Sequence, residues 1–379
     1  NPFMLHKPRL LTPGPTPLPE RVRFVMAQDM IHHRKPAFKA VMAGLKDGMA
    51  ELFGTTQPVL PLCASGTGAM VAAVNNLFAP GEKVLVIEGG KFGERWTDIC
   101  NNGGVIPVQL KVEWGKVVDP LDIEAALDAD KDIRGVLVQY SETSTGVQHP
   151  VRAIGRVTSS RQALLVVDGI SAVSISPCPM DAWGVDCLLT GSQKGLMLPP
   201  GLALIALSEK AWQKAEKVPS RDFYFNLLKE RESNLKGQTS FTSPVSLLVG
   251  LGESLRMFAE TGLENLYRKQ WAMTMMARAS VEAMGLELFA GDNFAWGLTS
   301  VLLPSGMDSV QLLAFASERY GVVMAAGQDA YKNRMVRRGH MGWVDSGDAA
   351  VSIHALAGSY PAGGGPGRRG PCLERGQAA

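Results

Sequence analysis

The sequence has no long hydrophobic run and no excess of charge of one sign. A membrane-spanning helix needs about 18 or more apolar residues in a row, and the chain contains no such stretch. Its 379 residues include 38 basic and 36 acidic side chains, whereas proteins that bind nucleic acids or membrane surfaces typically carry a clear basic excess. We therefore expect neither a membrane nor a nucleic acid to be a partner.

Cysteine is scarce, and metal-binding patterns are lacking. The five cysteines are scattered without CxxC spacing, which favours reduced thiols in a cytoplasmic protein over disulfides or a zinc site. The adjacent His32 and His33 have no accompanying carboxylate motif. Because adjacent side chains do not face one another, we expect no metal site there.

The first glycine-rich turn lacks both common nucleotide-binding signatures. It reads SGTG at residues 65–68 and follows an apolar run that starts at Val59, but it has neither the GxGxxG spacing nor a Gly-Lys-Ser/Thr ending. Glycines let the backbone approach a ligand, and free amides at a helix N-terminus favour an anion such as phosphate. Taken alone, the turn is equally typical of an ordinary helix start.

Short apolar segments recur from residue 83 onward and are mostly separated by segments long enough for helices. This alternation predicts an α/β fold with a mostly parallel sheet covered on both faces. In such sheets, ligands bind beyond the carboxyl ends of the strands. The predicted strands are KVLVIE (83–88), VIPVQL (105–110), GVLVQY (135–140), ALLVVD (163–168), CLL (187–189) and LALIALS (202–208).

Four residues near those carboxyl ends stand out, each with an ordinary alternative. Lys194 lies among apolar and small residues. A solvated turn lysine is the common case, but a partly desolvated lysine has a lowered pKa and forms a Schiff base with an aldehyde. Asp168 fits a helix N-cap, Phe92 a core position and Thr143 a turn hydroxyl. Together with the SGTG turn, these residues supply what pyridoxal phosphate requires: a reactive lysine, a carboxylate, a flat apolar ring, hydroxyls and a phosphate site.

The flanking regions predict an arm, a second domain and a tail. Prolines make LTPGPTPLP (11–19) an extended arm, residues 36–53 have the spacing of an amphipathic helix, and residues 243–285 look helical with a break at Gly262. We expect an N-terminal arm (1–20), a large domain (21–255), a small α+β domain (256–358) with strands near 286–290, 298–303, 321–326 and 334–338, and a disordered Gly/Pro-rich tail (359–379).

A series of motifs runs through the chain: LTPGPTPLPERV, SGTG, FGERW, ETSTGV, VDGISA, GSQKGLMLPPG, QTSFTSPVSLL and RRGHMG. In this order and spacing, over residues 8–358, the sequence resembles the class V pyridoxal-phosphate aminotransferases of the alanine/serine–glyoxylate group. Within that group it is similar to the branch with members named soluble hydrogenase small subunit. The resemblance implies the PLP-dependent transferase fold type I, with a large domain built on a mostly parallel sheet of the seven-stranded type and a smaller C-terminal α+β domain.

The resemblance also implies roles for individual residues. Lys194 would carry the Schiff base and shuttle the proton, Asp168 would pair with the pyridinium nitrogen, and Arg337 would take the substrate carboxylate. Arg338 points to the other face of the predicted strand, so it ranks second. The remaining implied contacts are Phe92 stacked on the ring where relatives often carry Trp, Ile170 on the opposite face, Thr143 near the ring hydroxyl, Ser65, Gly66, Thr67, Gln193 and the partner subunit's Thr242 around the phosphate, and Gly14 at the substrate.

The implied activity is a ping-pong transfer of an amino group by a homodimer. The donor would be a small L-amino acid, alanine or serine, and the acceptor a small 2-oxo acid, glyoxylate or pyruvate. A cysteine desulfurase or lyase of the same class is one alternative, although desulfurases carry His where this chain has Gln193. A non-catalytic scaffold subunit on the same fold is the other. Against it, the chain retains Lys194, Asp168 and Arg337, and burying such groups has a cost that only a function explains.

Overall fold

The computed structural model describes residues 7–219 and 221–361. The first six residues of the expected arm and residues 362–379 of the expected tail lie outside this range. The helices are α1 (Glu20–Met26), α2 (Pro36–Phe53), α3 (Gly66–Leu77), α4 (Lys91–Asn102), α5 (Pro120–Ala129), α6 (Val151–Thr158), α7 (Glu209–Ala215), α8 (Leu227–Leu235), α9 (Val245–Thr261), α10 (Leu263–Ala283), α11 (Ser309–Tyr320) and α12 (Ser346–Ser359), with a short 3₁₀ turn at Asp329–Tyr331.

The strands alternate with these helices through the first two thirds of the chain. They are β1 (Arg9–Leu10), β2 (Val59–Leu62), β3 (Lys83–Glu88), β4 (Ile106–Lys111), β5 (Ile133–Gln139), β6 (Ser141–Glu142), β7 (Val147–Gln148), β8 (Leu164–Asp168), β9 (Cys187–Gly191), β10 (Ala203–Leu207), β11 (Glu287–Leu288), β12 (Leu298–Leu302), β13 (Val322–Val323), β14 (Ala325–Ala326) and β15 (Met335–Gly339). In the part of the chain that the structure describes, no helix is long and apolar enough to cross a membrane.

A seven-stranded sheet forms the centre of the molecule, in the order β2-β10-β9-β8-β5-β3-β4. Neighbouring pairs are parallel from β9 to β4, while β10 runs antiparallel to both of its neighbours. This confirms the predicted mostly parallel α/β sheet. Because parallel strands end at one edge, β5, β8 and β9 bring Gln139, Asp168 and Leu189 side by side, in registered pairs.

Alternate residues of each central strand feed two separate apolar layers, because side chains of a strand point alternately to opposite faces. In β5, Val136 and Val138 pack into the layer that includes α2 and α9, whereas Leu137 packs into the layer that includes α3 and α4. All three side chains are fully buried. Covering both faces explains why these strands read as continuous apolar runs.

A second, antiparallel sheet has the order β11-β12-β15-β14 and packs against α10, α11 and α12. The segment predicted as one strand near 321–326 is divided between two sheets. Val322–Val323 pairs with the arm strand β1, and Ala325–Ala326 pairs with β15. The segment is divided because its two halves form backbone hydrogen bonds with different strands. The predicted break at Gly262 is confirmed, because α9 ends there and α10 begins.

Candidate active site

Lys194 lies just beyond the carboxyl end of β9, in the turn that follows Gly191. Its side chain is buried, with 9% exposure, and its Nζ donates a hydrogen bond to the Pro13 carbonyl oxygen. Burial, helped by the nearby Arg337 cation, lowers the pKa of this amine to about 8, and Asp168 opposes the shift. A lowered pKa provides more of the neutral amine near neutral pH, and the neutral form is the nucleophile.

Asp168 ends β8, the strand next to β9 in the sheet. Its Oδ1 accepts from the Ile170 backbone N–H at 2.7 Å, and its Oδ2 accepts from Gln139 Nε2 at 2.8 Å. Gln139 is held in turn, because its Oε1 accepts from Trp96 Nε1 at 2.8 Å. Burial raises the pKa of Asp168 to about 6, although both hydrogen bonds favour the charged form. A buried carboxylate of this kind is suited to pairing with a protonated ring nitrogen.

The SGTG turn and Gln193 together form a cradle at the N-terminus of α3. Ser65 precedes the first residue of α3 and makes no side-chain capping bond there. A Cβ added to Gly191 would lie 2.8 Å from Gln193 Oε1 and 3.4 Å from the Gly66 backbone nitrogen, so these two groups lie close together. Gln193 Oε1 is buried and has no partner among the described residues. Since an amide can present either its oxygen or its NH₂ group, Gln193 beside the free amides of α3 fits a bound phosphate.

Glycine at position 66 also brings the cradle against Ile170. A Cβ on Gly66 would lie 2.7 Å from Ile170 Cγ1, so any larger residue would displace the isoleucine. Phe92, the second residue of α4, is partly buried. The structure thus places Ile170 at the SGTG turn and Phe92 on the next helix, while their stacking on opposite faces of a ring stays a prediction.

Arg337 on β15 reaches across to the turn between β6 and β7. Its Nη1 donates to the Thr143 carbonyl oxygen at 2.9 Å, and its Nε donates to the Ala326 carbonyl oxygen at 2.8 Å. Arg338 points the other way, because its Nη2 donates to Ser280 Oγ on α10 at 3.3 Å. The predicted alternation of the two arginines is therefore confirmed, and Arg337 is the one beside Lys194.

The N-terminal arm lies against the Lys194 side chain. Gly14 has a positive φ of 111°, and a Cβ there would fall on the Lys194 side chain. Thr16 Oγ1 donates to the Lys194 carbonyl oxygen at 2.9 Å, and the Thr16 backbone N–H donates to the Gln193 carbonyl oxygen at 3.1 Å. On its other side, the Leu11 carbonyl oxygen accepts from the Gly339 N–H at 2.7 Å, at the end of β15. The arm thus touches both the lysine turn and the strand that carries Arg337.

Thr242 is not brought to this group within one chain. It is exposed and lines a small surface cleft with Cys63, Tyr224 and Phe241. The sequence assigned it to the site of a partner subunit, and that assignment stays a prediction.

Sequence reasoning gave no role to Glu142, which the structure places at the centre of the site's framework. Its fully buried carboxylate accepts from Ser144 Oγ at 2.5 Å and from the Gly93 backbone N–H at 2.9 Å. Burial raises its pKa. Gly93 belongs to the first turn of α4, where a carboxylate is favoured by the helix dipole, so Glu142 fixes the start of the helix that carries Phe92. No local signal marks this contact, because the partners are 49 residues apart.

Known proteins resemble this chain in sequence over most of its length. A family model described as Aminotransferase class-V matches residues 22–346. A Synechococcus protein named soluble hydrogenase, small subunit, is 37% identical over 93% of this chain and 93% of its own. A serine–glyoxylate aminotransferase from Methylorubrum extorquens is 36% identical, and an L-aspartate–glyoxylate aminotransferase from Paracoccus denitrificans is 34% identical, each over 88% of this chain and 86% of its own.

Two solved structures that resemble this chain in fold are also aminotransferases. A ureidoglycine–glyoxylate aminotransferase from Bacillus subtilis matches with a TM-score of 0.91 at 26% identity, over 99% of this chain and 98% of its own. An alanine–glyoxylate aminotransferase from Nostoc matches with a TM-score of 0.89 at 27% identity, over 95% of this chain and 97% of its own.

Proposed function

Because this chain belongs to the class V aminotransferase family, which uses pyridoxal phosphate, we propose that it moves the amino group of a small L-amino acid to a small 2-oxo acid. The proposed donor is alanine or serine, and the proposed acceptor is glyoxylate or pyruvate. The observation that carries the proposal is the buried Lys194 amine next to Arg337, with Asp168 on the adjoining strand. The printed names of the serine–glyoxylate and alanine–glyoxylate relatives support the same substrate class.

The residues described above fit pyridoxal phosphate in three places. The amides of Ser65, Gly66 and Thr67 with the Gln193 side chain would hold the phosphate, together with the partner subunit's Thr242. Phe92 and Ile170 would pack on the two faces of the ring, and Thr143 would lie near the ring hydroxyl. When bound, the cofactor supplies an aldehyde that condenses with amines and a ring that accepts the electron pair left at Cα.

Side chains of this protein then transfer the protons and orient the substrates. Lys194 Nζ, as a neutral amine, accepts the proton that the amino acid loses from Cα. Asp168 stabilises the proton on the ring nitrogen, because a buried carboxylate favours a cation beside it. Arg337 holds the α-carboxylate of either substrate, with Gly14 lining the same space. One carboxylate site that serves both substrates in turn supports the ping-pong order.

Arg337→Ala is expected to weaken transition-state binding of carboxylate substrates by about 2–5 kcal/mol, the cost of removing one partner of a buried charge pair. That is about 30- to 5,000-fold in kcat/KM. Two of the five N–H groups of Arg337 are held by the Thr143 and Ala326 carbonyls, so the fork is oriented before substrate arrives. Steady-state kinetics with L-alanine would measure the loss.

The matched control for this variant is a substrate without a carboxylate. The half-reaction with isopropylamine should be almost unchanged by Arg337→Ala, since it never uses the fork. An equal loss with both amines would mean that Arg337 only supports the fold, and unchanged kinetics with alanine would show that Arg337 does not bind the carboxylate.

The proposed function is tested by an absorbance spectrum of the purified protein before and after adding L-alanine, L-serine and L-aspartate in turn. We expect a yellow band from cofactor attached to Lys194, which alanine or serine bleaches and glyoxylate restores. Bleaching by aspartate alone would change the donor class. A colourless protein that pyridoxal phosphate cannot turn yellow would contradict the proposal.

We further propose that the protein is a cytoplasmic homodimer, with an arm (1–20), a large domain (21–255) and a small domain (256–358). The support for the dimer is that Thr242 and the apolar Phe223, whose ring packs on Phe241, are exposed in the single chain. Sedimentation of the active protein as a monomer would contradict the dimer.

A further inference from the structure

The roles proposed above leave one cation of the site unused. Arg95 lies on α4, one helical turn beyond Phe92, and its guanidinium carbon lies 4.7 Å from the centroid of the Phe92 ring. Its Nη1 donates to Thr67 Oγ1 at 3.1 Å. Arg95 therefore joins the helix of the stacking residue to the turn that forms the phosphate cradle.

Among residues 7–219 and 221–361, no carboxylate forms an ion pair with Arg95. Its helix neighbour Glu94 pairs with Lys91 instead, at 3.2 Å. The positive charge of Arg95 nevertheless acts on the site, since it lowers the pKa of both Lys194 and Asp168. A partly buried guanidinium without an acidic partner is costly unless an anion completes it.

The carboxylates of the site are already held by neutral donors. Asp168 accepts from Gln139 and the Ile170 amide. Glu142 accepts from Ser144 and the Gly93 amide, so in the described part of the chain neither carboxylate forms an ion pair with Arg337 or Arg95. The two arginines lie at different ends: Arg337 beside the Thr143 carbonyl, and Arg95 at the Thr67 hydroxyl. The substrate supplies one carboxylate, which the Arg337 end takes. The cofactor supplies the second anion, a phosphate. The backbone amides at the N-terminus of α3, beside Thr67, favour an anion at that end of the site.

We propose that Arg95 is a further phosphate-binding residue, which holds the cofactor's phosphate together with the Thr67 hydroxyl and the amides of α3. The inference rests on the cofactor assignment and on the phosphate cradle of the proposed function. Guanidinium groups suit this role because they donate two parallel hydrogen bonds to phosphate oxygens.

The test compares pyridoxal phosphate with pyridoxal, which has the same ring and aldehyde but no phosphate. Cofactor-free wild-type protein, Arg95→Gln and Arg95→Lys are titrated with each, and dissociation constants are read from absorbance. We expect Arg95→Gln to raise the dissociation constant of pyridoxal phosphate by about 10- to 100-fold, the range for loss of a hydrogen bond to a charged group. Pyridoxal affinity should change less than about twofold, and Arg95→Lys should recover part of the loss.

Lys91→Gln is the matched control, since Lys91 is a cation on the same helix that pairs with Glu94 and Asp329. Its pyridoxal phosphate affinity should equal that of the wild type. An equal loss of pyridoxal phosphate affinity in Lys91→Gln would show that the effect comes from the overall charge of the surface, and it would overturn the proposal. Melting temperatures of all variants show whether each one folds.

Other results would also overturn the proposal. Equal weakening of pyridoxal phosphate and pyridoxal by Arg95→Gln would make Arg95 a support for the Phe92 ring. A raised KM for L-aspartate with unchanged cofactor affinity would make it a binder of a substrate side-chain carboxylate. If wild-type protein itself failed to bind pyridoxal phosphate, the cofactor assignment would fail first, before Arg95 entered the question.

Discussion

Lys194→Ala is expected to lower kcat for transamination by at least about 10⁴-fold. A positioned acid or base alone contributes about 10²- to 10⁴-fold, and this variant also removes the amine that binds the cofactor covalently. The loss should not extend to the fold, because the turn is held by other bonds. Thr16 Oγ1 bonds the backbone carbonyl of residue 194 and not its side chain, so that contact survives the substitution.

The measurement is steady-state turnover at saturating donor and acceptor, with circular dichroism to confirm folding. Lys210→Ala is the control: that lysine donates to the Arg161 and Ala163 carbonyls in the turn before β8, at the opposite end of that strand from Asp168. It should cost stability and leave turnover per folded molecule unchanged. If Lys194→Ala retained wild-type turnover, the covalent mechanism would be discarded and the scaffold alternative would return.

Asp168→Asn is expected to lower kcat by about 30- to 5,000-fold, which corresponds to about 2–5 kcal/mol for removing one charge of a buried pair. The amide oxygen can still accept from the Ile170 N–H, which keeps the end of β8 in place. The amide NH₂ cannot accept from Gln139 Nε2, so that one hydrogen bond is lost. It cannot stabilise a proton on the ring nitrogen as a carboxylate does, and the ring then accepts electrons less readily.

Single-turnover bleaching by L-alanine would measure this effect on the half-reaction itself. Asp186→Asn is the matched control, because Asp186 is a buried carboxylate that binds the Leu165 N–H at 2.9 Å, just before β9. The control should lower the melting temperature without slowing bleaching. Full-rate bleaching in Asp168→Asn would mean that the ring nitrogen works unprotonated.

Pattern within the chain was enough to predict the framework of the site. Alternating apolar runs and helices predicted the parallel sheet, and the strand-edge rule then placed Asp168 and Lys194 near one another. Arg337 and Arg338 could be separated because side chains of a strand alternate. All of these predictions depend on periodicity, which a local window of sequence contains.

The contacts that hold the site together could not be predicted in this way. Gln139 binds Asp168 across 29 positions, Glu142 binds the start of α4 across 49, and the Pro13 carbonyl meets Lys194 across 181. Each joins residues whose neighbours in sequence give no hint of the partner. The predicted role of Thr242 depends on a second subunit, so the structure of a single chain does not test it.

The arm described above has a geometric consequence. Residues 11–16 lie between the lysine turn and the end of β15, with hydrogen bonds on both sides. The arm therefore ties the turn that carries the reacting amine to the end of the strand that carries Arg337. Gly14 has no side chain, which lets the arm lie directly on the Lys194 side chain. A change in the arm would act on the positions of both residues at once, although it alters neither of them.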